Sequence, residues 1–183
     1  LEGGKGVFLM GAHLGSFEVI RAMGRQHRNL RVTMLMHQDN ARRINAVLAA
    51  INPDAVEDII GLGQVDSMLR LRQRLDEGGA VGMLADRTPG DDILYPVQIL
   101  GAGANLPVGP FRIAALLRRP VIFMTGLYLG GNRYAIHFEP LVDFSAVSRD
   151  QRNAALDAAV TRYAPLPGQY FRHAPLPRFR FFH

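Results

Sequence analysis

Cysteine is absent from the 183 residues, so no disulfide framework, thiol nucleophile, cysteine-ligated zinc or iron-sulfur cluster is available. A reducing compartment is compatible with that absence. Long apolar runs are missing too. The stretches Val7 to Ala12 and Val121 to Leu129 fall far short of the roughly 18 residues that a membrane-spanning helix needs, so no crossing helix is expected. The 19 glycines and 11 prolines are too few for a collagenous or low-complexity chain, and a hydrophobic content of 48% excludes disorder. There is no charge block, internal repeat or interdomain linker. The chain opens at Leu1 without Met or the charged and apolar regions of a signal peptide, so it reads as a piece of a longer protein whose anchor, if any, precedes Leu1.

What is present is one domain's worth of chain with a net charge of +5. That balance attracts acidic partners, which include nucleic acid, anionic lipid and acidic carrier proteins. Apolar runs alternate with helical periodicity along the chain. Gly6 to Gly11 reads as a buried strand, and Phe17, Ile20 and Met23 follow at helical spacing. Leu30 to Met36 is a second strand. A helix capped by Asp39 or Asn40 then carries Ile44, Val47, Leu48 and Ile51 on one face and stops before Pro53. Val56 to Ile60 is a third strand. Gln64 to Glu77 is a helix with Val65, Met68, Leu69 and Leu75 inward, ended by Gly78 and Gly79.

Ala80 to Ala85 lacks polar alternation, as a central strand covered on both faces would. A polar loop from Asp86 to Asp92 follows, then a strand from Tyr95 to Leu100 and a loose stretch from Gly101 to Asn105. Pro107 or Pro110 starts a helix through Arg119. Val121 to Leu129 and Arg133 to Glu139 form a hairpin around Gly130 and Gly131, and Ser148 to Tyr163 is a last amphipathic helix. The alternation predicts an α/β fold with a mostly parallel central sheet flanked by helices and one antiparallel hairpin. The expected division is a domain over 1–164 and a basic, aromatic tail over 165–183. That tail, with Phe171-Arg172-His173 and Arg178-Phe179-Arg180-Phe181-Phe182, has the composition of a membrane-interface segment, of a stacking surface for nucleic acid, or of a solvated end.

Chemistry concentrates in Gly11-Ala12-His13-Leu14-Gly15-Ser16-Phe17-Glu18. It falls where a strand gives way to a helix, the place where open parallel sheets bind ligands. With His13 in the turn and Glu18 in the helix, the carboxylate can reach back to the imidazole and fix its tautomer. Such a dyad, without a nucleophilic Ser or Cys, suits general-base activation of a substrate hydroxyl. N–H groups near Gly15 and Ser16 are placed to meet a developing oxyanion. The competing reading is a capping histidine and a surface ion pair. Ser16 lacks the second glycine of G-x-S-x-G. His27, His37, His137, His173 and His183 show no metal-ligand spacing. Gly61-Leu62-Gly63 and Gly101-Ala102-Gly103 complete no nucleotide-binding pattern. The chemistry calls for no metal or organic cofactor.

The block from Gly11 to Glu18 resembles the H-x4-D/E motif of the lysophospholipid acyltransferase superfamily, in the form used by the lauroyl and myristoyl transferases of lipid A biosynthesis. Ala85-Asp86-Arg87 and the stretch from Leu106-Pro107-Val108-Gly109-Pro110 to Arg119-Pro120-Val121-Ile122 are similar to further segments of that family, in the same order. Pro167-Gly168-Gln169-Tyr170-Phe171 echoes its terminal aromatic block. Relatives often have Gln or His where Arg87 stands and a Trp in the last block, whereas this chain has no Trp. Variants from aryl-polyene and other specialised lipid pathways look at least as similar.

The resemblance implies a glycerol-3-phosphate-acyltransferase-like fold. It also implies transfer of a fatty acyl group from acyl carrier protein to a hydroxyl of a lipid or glycolipid acceptor, at the cytoplasmic face of the bacterial inner membrane. In that reading His13 is the base and Glu18 its partner. Gly15, Ser16, Arg42, Arg43, Asp86 and Arg87 contact substrate, the protein touches the membrane surface, and nucleic acid is not a partner. A non-catalytic lipid- or carrier-binding module on the same scaffold is the alternative.

Overall fold

The computed structural model describes residues 6–13, 32–51, 59–64, 66–87, 92–131 and 133–173. They form a six-stranded sheet with helices on it and a separate two-stranded ribbon. In chain order the elements are β1 (Val7–Gly11), β2 (Val32–His37), α1 (Gln38–Ile51), β3 (Ile59–Leu62), α2 (Ser67–Asp76), β4 (Ala80–Leu84), β5 (Leu94–Ile99), β6 (Ala102–Pro107), α3 (Gly109–Leu116), β7 (Pro120–Gly130), β8 (Arg133–Asp143), α4 (Arg152–Tyr163) and α5 (Pro165–His173). The sheet order is β3-β2-β4-β1-β7-β8. All neighbours run parallel except β8, which folds back on β7. The α/β reading with a mostly parallel sheet is therefore the observed one. Among the described residues no helix is long and apolar enough to cross a membrane.

Strands β1 and β4 lie at the centre because their residues are apolar without interruption, and both faces of each are covered. The period-two alternation sends Phe8, Met10, Val81, Met83, Val121 and Phe123 to one face. There they meet Leu71 and Leu75 of α2, Phe111 of α3, Val160 and Tyr163 of α4, and Leu166 of α5 in the main core. Val7, Leu9, Val32, Ala80 and Met124 pack together in a second cluster. Phe8 is fully buried, and truncating a side chain of that kind typically costs about 3 to 5 kcal/mol.

Backbone contacts at the foot of the sheet fix how α2 feeds β4. The Gly79 N–H donates to the Arg74 carbonyl at 3.0 Å and the Gly78 N–H to the Leu75 carbonyl at 3.1 Å, the paired bonds of a glycine-terminated helix. Gly78 adopts a φ of 80°, which a side chain would resist. Gly6 then enters β1 by donating to the Leu75 carbonyl at 2.8 Å. A Cβ at position 6 would fall 2.5 Å from the carbonyl oxygens of both Gly79 and Leu75, so only glycine fits there.

Three local readings change. The face of α2 turned inward is Ser67, Leu71 and Leu75, an i, i+4, i+8 row. Leu69 lies two residues, roughly 200°, from Leu71 on a helix and is 69% exposed. The stretch read as loose after Leu100 is strand β6, paired with β5 from Ile99 opposite Ala102 to Leu94 opposite Pro107. Its glycines hid a strand because its side chains are small, not because pairing is absent. Finally, α1 starts at Gln38, so Asp39 sits in its first turn rather than before it. The helix expected around Phe17, Ile20 and Met23 lies outside the described residues, as do residues 174–183 of the tail. Residues 165–173 form α5, and Leu166 is buried in the core.

Candidate active site

The register of the two central strands places the chemistry. β1 and β4 are aligned so that Gly11 faces Leu84, and the Ala85 N–H closes the ladder by donating to the Gly11 carbonyl at 2.9 Å. Two steps further on each chain come His13 and Asp86, at the same height above the carboxyl edge of the sheet. The chain leaves β1 towards β2 on one side and leaves β4 through the β5-β6 ribbon towards β7 on the other. A cleft at such a divergence is the usual ligand site of a parallel sheet.

There the side chains close on one another. Asp86 accepts from both the ring and the backbone of His13, with Nδ1 to Oδ1 at 2.8 Å and the backbone N–H to Oδ2 at 3.1 Å. On the far side of the ring, Arg87 Nε donates to His13 Nε2 at 3.2 Å. A guanidinium only donates and an ionised carboxylate only accepts. Nε2 therefore carries the lone pair and Nδ1 the proton, the tautomer that a general base facing outward requires. The His13 and Asp86 side chains are 32% and 27% exposed, open enough to meet a substrate and closed enough to hold one geometry.

Asp86 is subject to opposed influences. Burial raises its pKa most strongly, but the hydrogen bonds from the His13 ring and backbone, together with the ring's charge, outweigh that and hold the carboxyl below its ordinary 3.8. It is an anion throughout the physiological range.

Beneath this group lies Tyr163, from the last turn of α4. Its hydroxyl donates to the Gly11 carbonyl at 2.8 Å, and its ring packs edge-on to Phe111 and Phe123 at 5.5 and 5.7 Å. Burial, and then the negative charge of Asp86, push its pKa well above 10.0, so the hydroxyl stays a donor.

Of the residues singled out in the sequence, the structure brings together His13, Asp86 and Arg87. Gly15, Ser16 and Glu18 lie outside the described residues. Arg42 and Arg43 are exposed on α1, the helix that starts at the carboxyl end of β2, and stand outside the hydrogen-bonded group. The carboxylate found on Nδ1 is Asp86, 73 positions away in sequence, for which the family resemblance implies only a substrate contact. The signal for it was present, since two apolar strands each run into a polar residue after a similar span, but its use requires knowing that the strands are neighbours in register. Tyr163 was missed. A tyrosine on the inner side of an amphipathic helix reads as core, and nothing local shows where its hydroxyl goes.

A family model described as bacterial lipid A biosynthesis acyltransferase matches residues 1–171. No curated protein matches the chain.

Proposed function

The chain belongs to the bacterial lipid A biosynthesis acyltransferase family, and from that premise we propose that it moves a fatty acyl group from an acyl carrier protein thioester to a hydroxyl of a lipid or glycolipid acceptor, with His13 as general base. The family supports acyltransferase activity, a lipid acceptor and a place in membrane-associated biosynthesis. The donor, the ester product and the residue roles are our reading. The observation that carries it is the 2.8 Å contact of His13 Nδ1 with Asp86 at the carboxyl edge of the sheet, which leaves the lone pair of the ring on Nε2, the nitrogen that Arg87 meets.

The step balances without a covalent enzyme intermediate. The acceptor hydroxyl gives its proton to His13 Nε2 as its oxygen bonds to the thioester carbonyl carbon. The tetrahedral oxyanion collapses, the carbon-sulfur bond breaks, and the proton passes from Nε2 to the departing thiolate. Asp86 keeps Nδ1–H in place and stabilises the imidazolium while it exists. Backbone N–H groups near Gly15 and Ser16 are our choice for holding the oxyanion. Glu18 is a second acid of the same block, and Arg42, Arg43 and the net charge of +5 favour an acidic carrier or a lipid phosphate. This reading places the protein peripherally at the cytoplasmic face of the inner membrane.

The test is transfer of radiolabelled acyl groups from acyl carrier protein to extracted acceptor lipid. A His13→Ala variant with an unchanged circular dichroism spectrum should lose roughly 10² to 10⁴ of the rate, the usual contribution of a positioned base. Full activity in that variant overturns the mechanism. A wild-type protein that binds the carrier and never turns over is a binding module instead.

A further inference from the structure

The contact between Arg87 and His13 is unproductive for the chemistry just described. A neutral imidazole has one lone pair, here on Nε2, and the Arg87 Nε–H points at it from 3.2 Å. A guanidinium does not surrender its proton under physiological conditions. While this bond stands, the lone pair is occupied by a donor that cannot react, and an acceptor hydroxyl has no base to meet. Arg87 must leave before transfer begins.

We propose that Arg87 is a specificity-determining latch: it caps the base in the free enzyme and is drawn off by a phosphate group of the incoming substrate. The proposal rests on the reading of His13 as base. Several observations converge on it. Both oxygens of the adjacent carboxylate, Asp86, are engaged by His13, so the guanidinium is directed to the ring rather than to that carboxylate. Arg87 is exposed and stands three residues beyond the last residue of β4, so its side chain can swing without disturbing the core. Among the described residues, the contact it must give up is a single bond to an uncharged nitrogen. A phosphate offers two parallel bonds between opposite charges, where the ring nitrogen offers one bond charged on the donor side alone, and planar bidentate recognition is what a guanidinium does best. Exchange of ring nitrogen for phosphate is therefore downhill, and it frees Nε2 at the moment a substrate is seated. A substrate without the anion would meet a capped base. The phosphate belongs either to an ester on the lipid acceptor or to the prosthetic arm of the carrier.

Diethyl pyrocarbonate, which acylates the free imidazole nitrogen, reads the latch without requiring turnover. The modification rate of the peptide containing His13, followed by mass spectrometry at mildly alkaline pH, should rise roughly fivefold in Arg87→Met, the factor that one ordinary net hydrogen bond represents. Saturating inorganic phosphate should bring the wild type towards the variant's rate and leave the variant unmoved. Pantetheine 4′-phosphate and a short alkyl phosphomonoester, as separate arms, assign the source to donor or acceptor. Acceleration by either supports the latch. Equal rates in the two proteins, or slowing of the wild type by every phosphate tested, overturns it. The His13→Ala transfer assay stands apart from these rates, so the base can fail while the latch holds, or the reverse.

Discussion

Tyr163 donates its hydroxyl proton to the carbonyl of Gly11 at 2.8 Å across 152 positions of sequence, tying the last turn of α4 to the strand end that carries His13. Gly11 keeps a second donor in the Ala85 N–H, so Tyr163→Phe leaves no carbonyl orphaned. The expected loss of stability is about 1 kcal/mol, the net worth of one buried hydrogen bond, measured by urea denaturation. Transfer should fall more than stability implies, through the turnover rate rather than acceptor affinity, because the anchor lies two residues before His13. The pH dependence has a definite sign. The folded pKa of Tyr163 is above its unfolded 10.0, so its contribution is complete below pH 10 and is lost as pH rises towards the folded value. The variant should lack that alkaline component.

Tyr170 is governed by a different cause. Its hydroxyl donates to Glu139, and its ring stacks on Phe123 at 5.6 Å and meets His137 at 4.7 Å. The bond to Glu139, then burial, then the charge of Glu139 lift its pKa from 10.0 to about 12. Spectrophotometric titration, with Tyr170→Phe subtracted, should find one phenol titrating near the upper value. Glu139→Gln should return it towards 10. The pair's contribution is present below pH 10 and fades as pH rises to the folded value, so the stability difference between wild type and Glu139→Gln should be full at neutral pH and shrink above pH 10.

Gly6→Ala tests the foot of the sheet. The added methyl would lie 2.5 Å from two carbonyl oxygens, both of them backbone, so relief requires moving the end of α2 or the start of β1. The expected cost is about 2 to 3 kcal/mol, typical of overpacking against a rigid wall, read as a lower thermal midpoint. Gly63, whose added Cβ would meet nothing within 4 Å but whose φ is 108°, should lose less on the same substitution, and only through backbone strain.

The alternation of apolar runs and helical faces was enough to read the parallel sheet, because β1 and β4 are apolar through their buried stretches, β7 is so but for Thr125, and they need no long-range information to be recognised. The inward face of α2 was misread at Leu69, since several apolar residues on a short helix allow more than one stripe and only packing chooses. Strand β6 was invisible because Gly, Ala and Asn are poor strand formers, and its pairing comes from the partner strand. At the site, His13 was legible from its position after a strand. Its contact with Asp86 was not, because parallel register is a property of two segments together. Glu18 is the carboxylate within local reach of His13 and the one the H-x4-D/E resemblance names, and it lies outside the described residues.

Asp86 and Glu18 are therefore separable by experiment. Asp86→Asn keeps the shape and removes the charge, so the Nδ1–H loses its anionic partner and the imidazolium its compensation. Transfer should fall about a hundredfold or more, with a shift in the pH profile that a merely structural change would not produce. The stability cost should be about 1 kcal/mol, discounted because both side chains are partly exposed. Since the folded pKa of Asp86 lies below its ordinary 3.8, that cost is constant above pH 4 and vanishes as pH falls through the folded value. Thermal melts of the two proteins should thus differ at neutral pH and converge in strong acid. If Asp86 orients His13, Glu18→Gln retains the His13 tautomer, seen as an unchanged Nδ1 and Nε2 nitrogen pattern by NMR, even where it lowers transfer. If that pattern changes in Glu18→Gln and survives in Asp86→Asn, the orienting acid is Glu18.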